Sequence, residues 1–451
     1  MIYQGLALLL ICLLFFCYLW IVDSRGTWVI TPFLFFATYE IITLWPSTIY
    51  AYYTGLSWDA YPILVAGLGF ACFLGGFTLF RWLRLGQSRS PKAFLALSLE
   101  VPLSQTRYLI GITLTAIVLL GMGLYLYQGI PPFIKFILGL IPEATTDFVR
   151  ESRKLFTKSH FFGGEYRGQG LIRSFMGVGW PFLLSVSIAI YCKTKKKVWT
   201  LVSLILLLLS FIFIAGDGTR SPFIFAMTYV LIVISMIRQL KIRHLILVVV
   251  SLFLITIGLS LASGKIIIGV KEQGITFAIN KVLKRVALGN GINSVYVIEF
   301  IHSGMLDYRH GEVHWQKVIA SLPGVRSGEV PFSHELGILR HAKGKTTFAS
   351  TTYLGVIYAD FGLVGVMIVY MMIGCMLGLI QLILYSGRKT PVQLALVGFA
   401  TFYLGKMSLN GFVGFTSSYV VVLAVCLIFI IGASLEAIFV VHRPAPISKK
   451  A

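Results

Sequence analysis

The residues best suited to do chemistry lie between Ala262 and Phe348, a polar and basic stretch in a chain that is otherwise almost entirely apolar. There Lys281, Lys284, Arg285, Arg309, Lys317, Arg326, Arg340, Lys343 and Lys345 stand among fewer acids, chiefly Glu299, Asp307, Glu312, Glu329 and Glu335. His302, His310, His314, His334 and His341 are five of the eight histidines. Such a gathering suits an anionic ligand. A guanidinium fork matches phosphate oxygens and stays charged, while imidazole exchanges a proton near neutral pH.

Further cations stand at span ends. Arg220, in GDGTRSP, follows one apolar run and opens the next, so its guanidinium sits at the bilayer edge where a helix N-terminus adds donors. Snorkelling, or pairing with Asp217, is the plainer alternative. Arg285 in LKRVALGN and Arg326 in LPGVRSGE have glycines nearby, through which backbone amides can approach an anion. Arg150, Arg153 and Lys154 in FVRESRKLF form a second cluster that reads equally as a solvated helix. Three motifs fail on inspection. GKTT at Gly344–Thr347 lacks the earlier glycine of a phosphate loop, Leu339 standing there, and HELGI has Ile338 where a zinc helix needs histidine. His310 and His314, with Glu312 between them, are too few for a metal site.

These groups must be positioned by membrane helices. Mean hydropathy is +0.87 and 57% of residues are hydrophobic, beyond what soluble chains show. Apolar runs long enough to cross ~30 Å of hydrocarbon are expected at about 2–22, 28–50, 62–80, 108–127, 173–192, 199–215, 221–237, 245–262, 363–385, 391–409 and 418–440. The expected fold is an all-α polytopic membrane protein, one integral domain over 1–451. The first run has neither a basic leader nor a cleavage site and reads as a retained helix. Basic connectors at Arg81–Lys92, Lys193–Lys197, Arg238–Arg243, Arg388–Lys389 and Arg443–Lys450 alternate as cytoplasmic loops should. That places the N-terminus outside, the C-terminus in the cytoplasm, and two long loops, 128–172 and 262–348, on the outer face. Ser350–Tyr385 is too long for one span and contains YADFGLVG. We divide it there, with 350–361 as a re-entrant or interfacial half-helix that keeps Asp360 near the outer mouth. Trp315, in GEVHWQKVIASL, suits a membrane-surface helix better than a sugar platform.

Composition also excludes. The six cysteines all lie in or beside spans and imply no disulfide framework. A net charge of +21 could serve nucleic acid, but no groove-reading motif accompanies it. An anionic lipid head group fits better.

The order of elements resembles the Wzy-type oligosaccharide repeat-unit polymerases of bacterial surface polysaccharides, especially the enterobacterial common antigen branch. The marks are GTR at Gly218–Arg220, LKR at Arg285, PGVRS at Pro323–Ser327 and STTYLGVIYADFGLVG at Ser350–Gly365. The resemblance implies a bundle similar to GT-C glycosyltransferases in the bacterial inner membrane. It implies transfer of a growing chain from one undecaprenyl diphosphate to a sugar hydroxyl on another. No nucleotide, metal or other cofactor is needed, because the lipid diphosphate carries the activation. Membrane lipid, a chain-length regulator and a flippase are the implied partners. Diphosphate is a good leaving group, so its charge must be met by donors, here Arg220, Arg285, Arg326, Arg153 and Arg150. The acceptor hydroxyl needs a base, for which His334 beside Glu335 comes first and Asp360 second. Two other readings stand beside this one: an O-antigen ligase, differing only in acceptor, and a lipid-oligosaccharide flippase or secondary transporter, which predicts more charges deep in the spans.

Overall fold

Where no water is at hand, the backbone must satisfy its own polar groups, and this chain does so by helices. A computed structural model describes residues 2–24, 30–55, 57, 60–83, 91–137, 169–216, 220–238, 250–251, 254, 288–289, 291–321, 332–341 and 351–440. Every regular element among them is a helix. In chain order these are α1 (Ile2–Ser24), α2 (Pro32–Tyr53), α3 (Tyr61–Leu83), α4 (Pro91–Ala96) and α5 (Gln105–Tyr127). Then come α6 (Pro132–Ile137), α7 (Gln169–Thr194), α8 (Lys197–Ile214), α9 (Arg220–Ile237) and α10 (Gly291–His302). The last are α11 (Glu312–Ser321), α12 (Phe332–His341), α13 (Tyr353–Ser386), α14 (Pro391–Gly405) and α15 (Met407–Val440). Among the described residues α1, α3, α5, α7, α8 and α13 are long and apolar enough to cross a membrane, and α9, α14 and α15 hold shorter apolar stretches. The protein is an all-α, multi-pass membrane protein. Of the expected span 245–262 only residues 250–251 and 254 are described.

The chain divides into two compact units. The first comprises residues 1–98, 235–388 and 400–417. Its centre is α3 against α13, and lipid tails offer no hydrophobic drive for that pairing, so close backbone packing must supply it. Gly76 and Gly374 permit it: a Cβ on Gly76 would fall 2.0 Å from the Met371 carbonyl oxygen, and one on Gly374 2.1 Å from that of Phe73. Around this seam Phe33 stacks on Phe77 with ring centroids 3.9 Å apart and on Phe73 at 5.4 Å. The buried Glu40 of α2 accepts a hydrogen bond from the Tyr370 hydroxyl at 3.1 Å, so the carboxyl is not stranded among apolar groups.

Two features of this unit differ in kind from a plain bundle. α10 falls inside the stretch expected to be an outer loop, yet nine of its twelve residues are buried. Gly291 meets the backbone of Thr43 on α2, and Ser294 shares a 2.7 Å hydrogen bond with Thr352 just before α13. α13 itself breaks at Gly362, whose φ of 64° and ψ of −161° are not helical. That backbone region belongs essentially to glycine.

The second unit comprises residues 99–234, 389–399 and 418–451. Here too small residues set the spacing, Gly179 on α7 facing Leu119 on α5 and Gly123 on α5 facing Phe213 on α8. Trp180 stacks on Phe213 at 6.0 Å. The Tyr229 hydroxyl donates to the Ala395 carbonyl at 2.7 Å and the Tyr127 hydroxyl to that of Phe213 at 3.2 Å, so buried phenols are matched to backbone acceptors.

Candidate functional site

The first unit holds a cluster built on the turn that precedes α11. His310 and Gly311 both take positive φ, 48° and 95°, which swings the chain round sharply before the helix begins at Glu312. His310 is therefore not on the helix, and its i, i+4 spacing to His314 does not place the two on one face. The turn is pinned to α13 by the Arg309 amide, which donates to the Ala359 carbonyl at 2.8 Å.

Asp360 closes the start of α11 from outside. Its carboxylate is fully buried, and its two oxygens accept from the backbone amides of Val313 and His314, each at 3.0 Å. A side chain from another helix thus does the work of an N-cap, satisfying two of the otherwise orphaned amides and lying at the positive end of the helix dipole. The same carboxylate forms a short contact with Nδ1 of His314. The carboxylate can only accept, so Nδ1 carries the proton and donates to it, which leaves Nε2 as the acceptor nitrogen. Nε2 lies 3.3 Å from the Tyr353 hydroxyl. The His314 ring packs 5.5 Å from that of Tyr353 and 5.7 Å from that of Phe361. The imidazole keeps 24% of its surface open while its carboxylate partner has none. A buried carboxylate orienting a reachable imidazole is the arrangement of a general base and its holder.

A second link joins the turn to α12. Arg309 pairs closely with Glu335 and more loosely, at 3.8 Å, with Glu312. α12 seats Phe332 and Leu336 in the core, and the ion pair sets its angle against the turn. Both partners are about a third exposed, so the pair itself is worth only ~0–1 kcal/mol. Arg309→Ala is expected to leave thermal unfolding nearly unchanged yet to slow any reaction at His314 by roughly tenfold through misplacement; melting curves run beside rate measurements test this.

Around these groups lies an aromatic surface. Tyr61 stacks on His302 at 4.2 Å, the Tyr358 and Tyr61 hydroxyls are 3.4 Å apart, and Tyr308, Phe361 and Trp315 are exposed. The Tyr308 ring rests on Gly362, where an added Cβ would come within 3.1 Å of it. Gly362→Ala meets both that crowding and a backbone angle that alanine disfavours. The expected cost is about 1–3 kcal/mol, with Asp360 shifted from α11, measured as a lower melting temperature together with lost activity.

The structure brings two of the expected site residues to one turn. Asp360 and Glu335 are both tied to the 309–314 turn, and His334 lies half-buried on α12 beside Glu335. Glu335 turns to Arg309 rather than to His334. Asp360 is enclosed with both oxygens engaged, which suits it to holding a base rather than being one. From sequence, Arg309 and His314 stood only among the cations and imidazoles of the polar stretch, His314 also as a candidate metal ligand, and neither they nor Tyr353 were assigned a part in the reaction. Arg220 is the first residue of α9, whereas Arg150, Arg153, Arg285 and Arg326 lie outside the described residues, as do Asp217 and Lys154.

No curated protein and no solved structure matches the chain. The family model described as "Putative O-antigen polymerase" matches residues 169–400. That range takes in α7 to α13, and with them the whole His314–Asp360 cluster. The match spans more than half of the chain, which belongs to the O-antigen polymerase family.

Proposed function

We propose that the protein polymerises polysaccharide at the outer face of the bacterial inner membrane, joining oligosaccharide repeat units carried on undecaprenyl diphosphate. The observation that carries this reading is the His314–Asp360 pair, a base held for proton transfer in the region that the family model covers. In the proposed step an acceptor sugar hydroxyl attacks the anomeric carbon of the growing chain. Its proton passes to Nε2 of His314, the new glycosidic bond forms, and the bond to diphosphate breaks with the electron pair leaving on the lipid diphosphate. Asp360, on α13, stabilises the imidazolium that results while it still caps the start of α11. Arg309 and Glu335 position α12, which carries His334, and the exposed aromatic rings of Tyr308 and Phe361 offer apolar faces to sugar.

Arg220, Arg285, Arg326, Arg150 and Arg153 are the proposed contacts for diphosphate, on the strength of their charge and their place in the sequence. Membrane lipid surrounds the protein, and a chain-length regulator and a flippase are its proposed working partners. Product analysis tests the reaction class: a ladder of rising repeat number from lipid-linked substrate alone fits polymerisation. Transfer only when lipid A core is supplied fits ligation and overturns the reading.

A further inference from the structure

Once Nδ1 of His314 carries the proton, Nε2 has a single in-plane lone pair, and that lone pair is already met. The Tyr353 hydroxyl stands 3.3 Å away, and because the nitrogen holds no proton the phenol is the donor. The distance is at the long end for such a bond, as catalytic contacts often are before substrate arrives. Nor is the phenol at liberty to swing aside. Tyr353 is the first residue of α13 and only 6% exposed. Just before it the Thr352 amide donates to Ser294 Oγ at 2.9 Å, and the two hydroxyls share a further bond of 2.7 Å. Just beyond it, a Cβ added to Gly355 would fall 2.8 Å from the same Ser294 oxygen. The first half of α13 also lies back along α3 beside the second. Leu354 and Tyr370 both come within 4 Å of one point over Gly69, although a straight helix would hold them about 24 Å apart.

A sugar hydroxyl that comes to the open edge of the imidazole therefore meets the phenol oxygen and not the lone pair. We propose that Tyr353 is a catalytic residue, which relays the acceptor's proton to His314. The relay rests on the polymerase reading and deepens it. In one concerted step the sugar O–H bond breaks and its proton goes to the Tyr353 oxygen, while the Tyr353 O–H bond breaks and that proton goes to Nε2. The electron pair freed on the sugar oxygen forms the bond to the anomeric carbon, and the bond from that carbon to diphosphate breaks with its pair leaving on the lipid diphosphate. A hydroxyl suits this part because it donates and accepts at one atom. The phenol begins and ends neutral, so no phenolate has to be held in a buried setting, and the charge left at the base is the imidazolium beside Asp360. The relay also gives the buried Ser294 of α10 a purpose, since it anchors the start of the half-helix from which the proton is passed.

Solvent isotope effects separate a relay from a mere spacer. The full-length protein, purified in detergent, is given undecaprenyl-diphosphate-linked repeat units, and the single-turnover rate of the first coupling is measured in water, in heavy water and in mixtures of the two. Two protons in flight bend the plot of rate against deuterium content, whereas one gives a straight line. The expected result is a bowed plot for the wild type. Tyr353→Phe keeps the ring against the imidazole and removes the hydroxyl alone. It is expected to couple about 10²-fold more slowly, on a straight line, with unchanged affinity for the lipid-linked substrate and an unchanged melting temperature. A straight line in the wild type overturns the relay whatever the fold of the variant. So does a Tyr353→Phe protein as fast as the wild type, the outcome if the hydroxyl only shields Nε2. A slow variant whose plot stays bowed also overturns it, because a structural part alone accounts for that. A wild-type protein that joins no units removes the polymerase reading and the relay with it, while one that joins them on a straight line removes the relay alone.

Discussion

His314→Gln lowers the rate of repeat-unit joining by about 10²–10⁴-fold, the usual contribution of a positioned general base. Glutamine keeps a polar side chain of similar reach on α11 and can still meet Asp360 through its amide. What it lacks is a nitrogen that accepts and then releases a proton. The loss therefore falls on the chemical step, and affinity for the lipid-linked substrate is unchanged. His334→Ala gives a smaller loss, because Glu335, its neighbour in sequence, is engaged with Arg309. Initial rates at saturating substrate for the two variants rank the two histidines, and equal losses would leave no reason to prefer His314.

Asp360→Asn has the second large effect, and it separates holding from reacting. The carboxylate receives three donors, the amides of Val313 and His314 and the Nδ1 proton. Asparagine has one acceptor oxygen, so either a backbone donor faces an amide NH₂ or the imidazole reverses its tautomer. The first leaves a buried donor unsatisfied, at about 1–3 kcal/mol. The second puts the proton on Nε2, where the acceptor hydroxyl needs a lone pair. Both outcomes slow the reaction, by about 10²-fold or more. Thermal unfolding tells them apart: a clear fall in melting temperature marks the first, and an unchanged one the second. An Asp360→Asn protein that is as stable and as fast as the wild type would contradict the assigned hydrogen bonds.

Much of the scaffold was legible because membrane spans announce themselves by length. Apolar runs of about 20 residues and the basic connectors between them mark α1, α3, α5, α7 and α8 to within a few residues. The sequence YADFGLVG pointed to a break, and the chain does break at Gly362, the position that needs a positive φ. α10 was not legible. At 12 residues, with Asn293, Ser294 and Glu299 among its buried positions, it has neither the length of a span nor a clean apolar stripe, and only its partners on α2 and α13 explain its burial. The His314–Asp360 pair was hidden for a related reason. His314 and Asp360 are 46 residues apart, and nothing local in either segment names the other. The adjacency of His334 and Glu335 does not reveal where Glu335 turns, since successive residues on a helix point in different directions and Glu335 reaches Arg309.

Whether this chain extends polysaccharide with His314 as the base is decided by a single time course. Wild-type and His314→Gln proteins, purified in detergent and matched for folded amount, are each incubated with undecaprenyl-diphosphate-linked repeat units alone, and products are separated by size. The expected result is a ladder rising by whole repeat units in the wild type, and in the variant unextended substrate that is still bound. A variant that builds the ladder at the wild-type rate would contradict it.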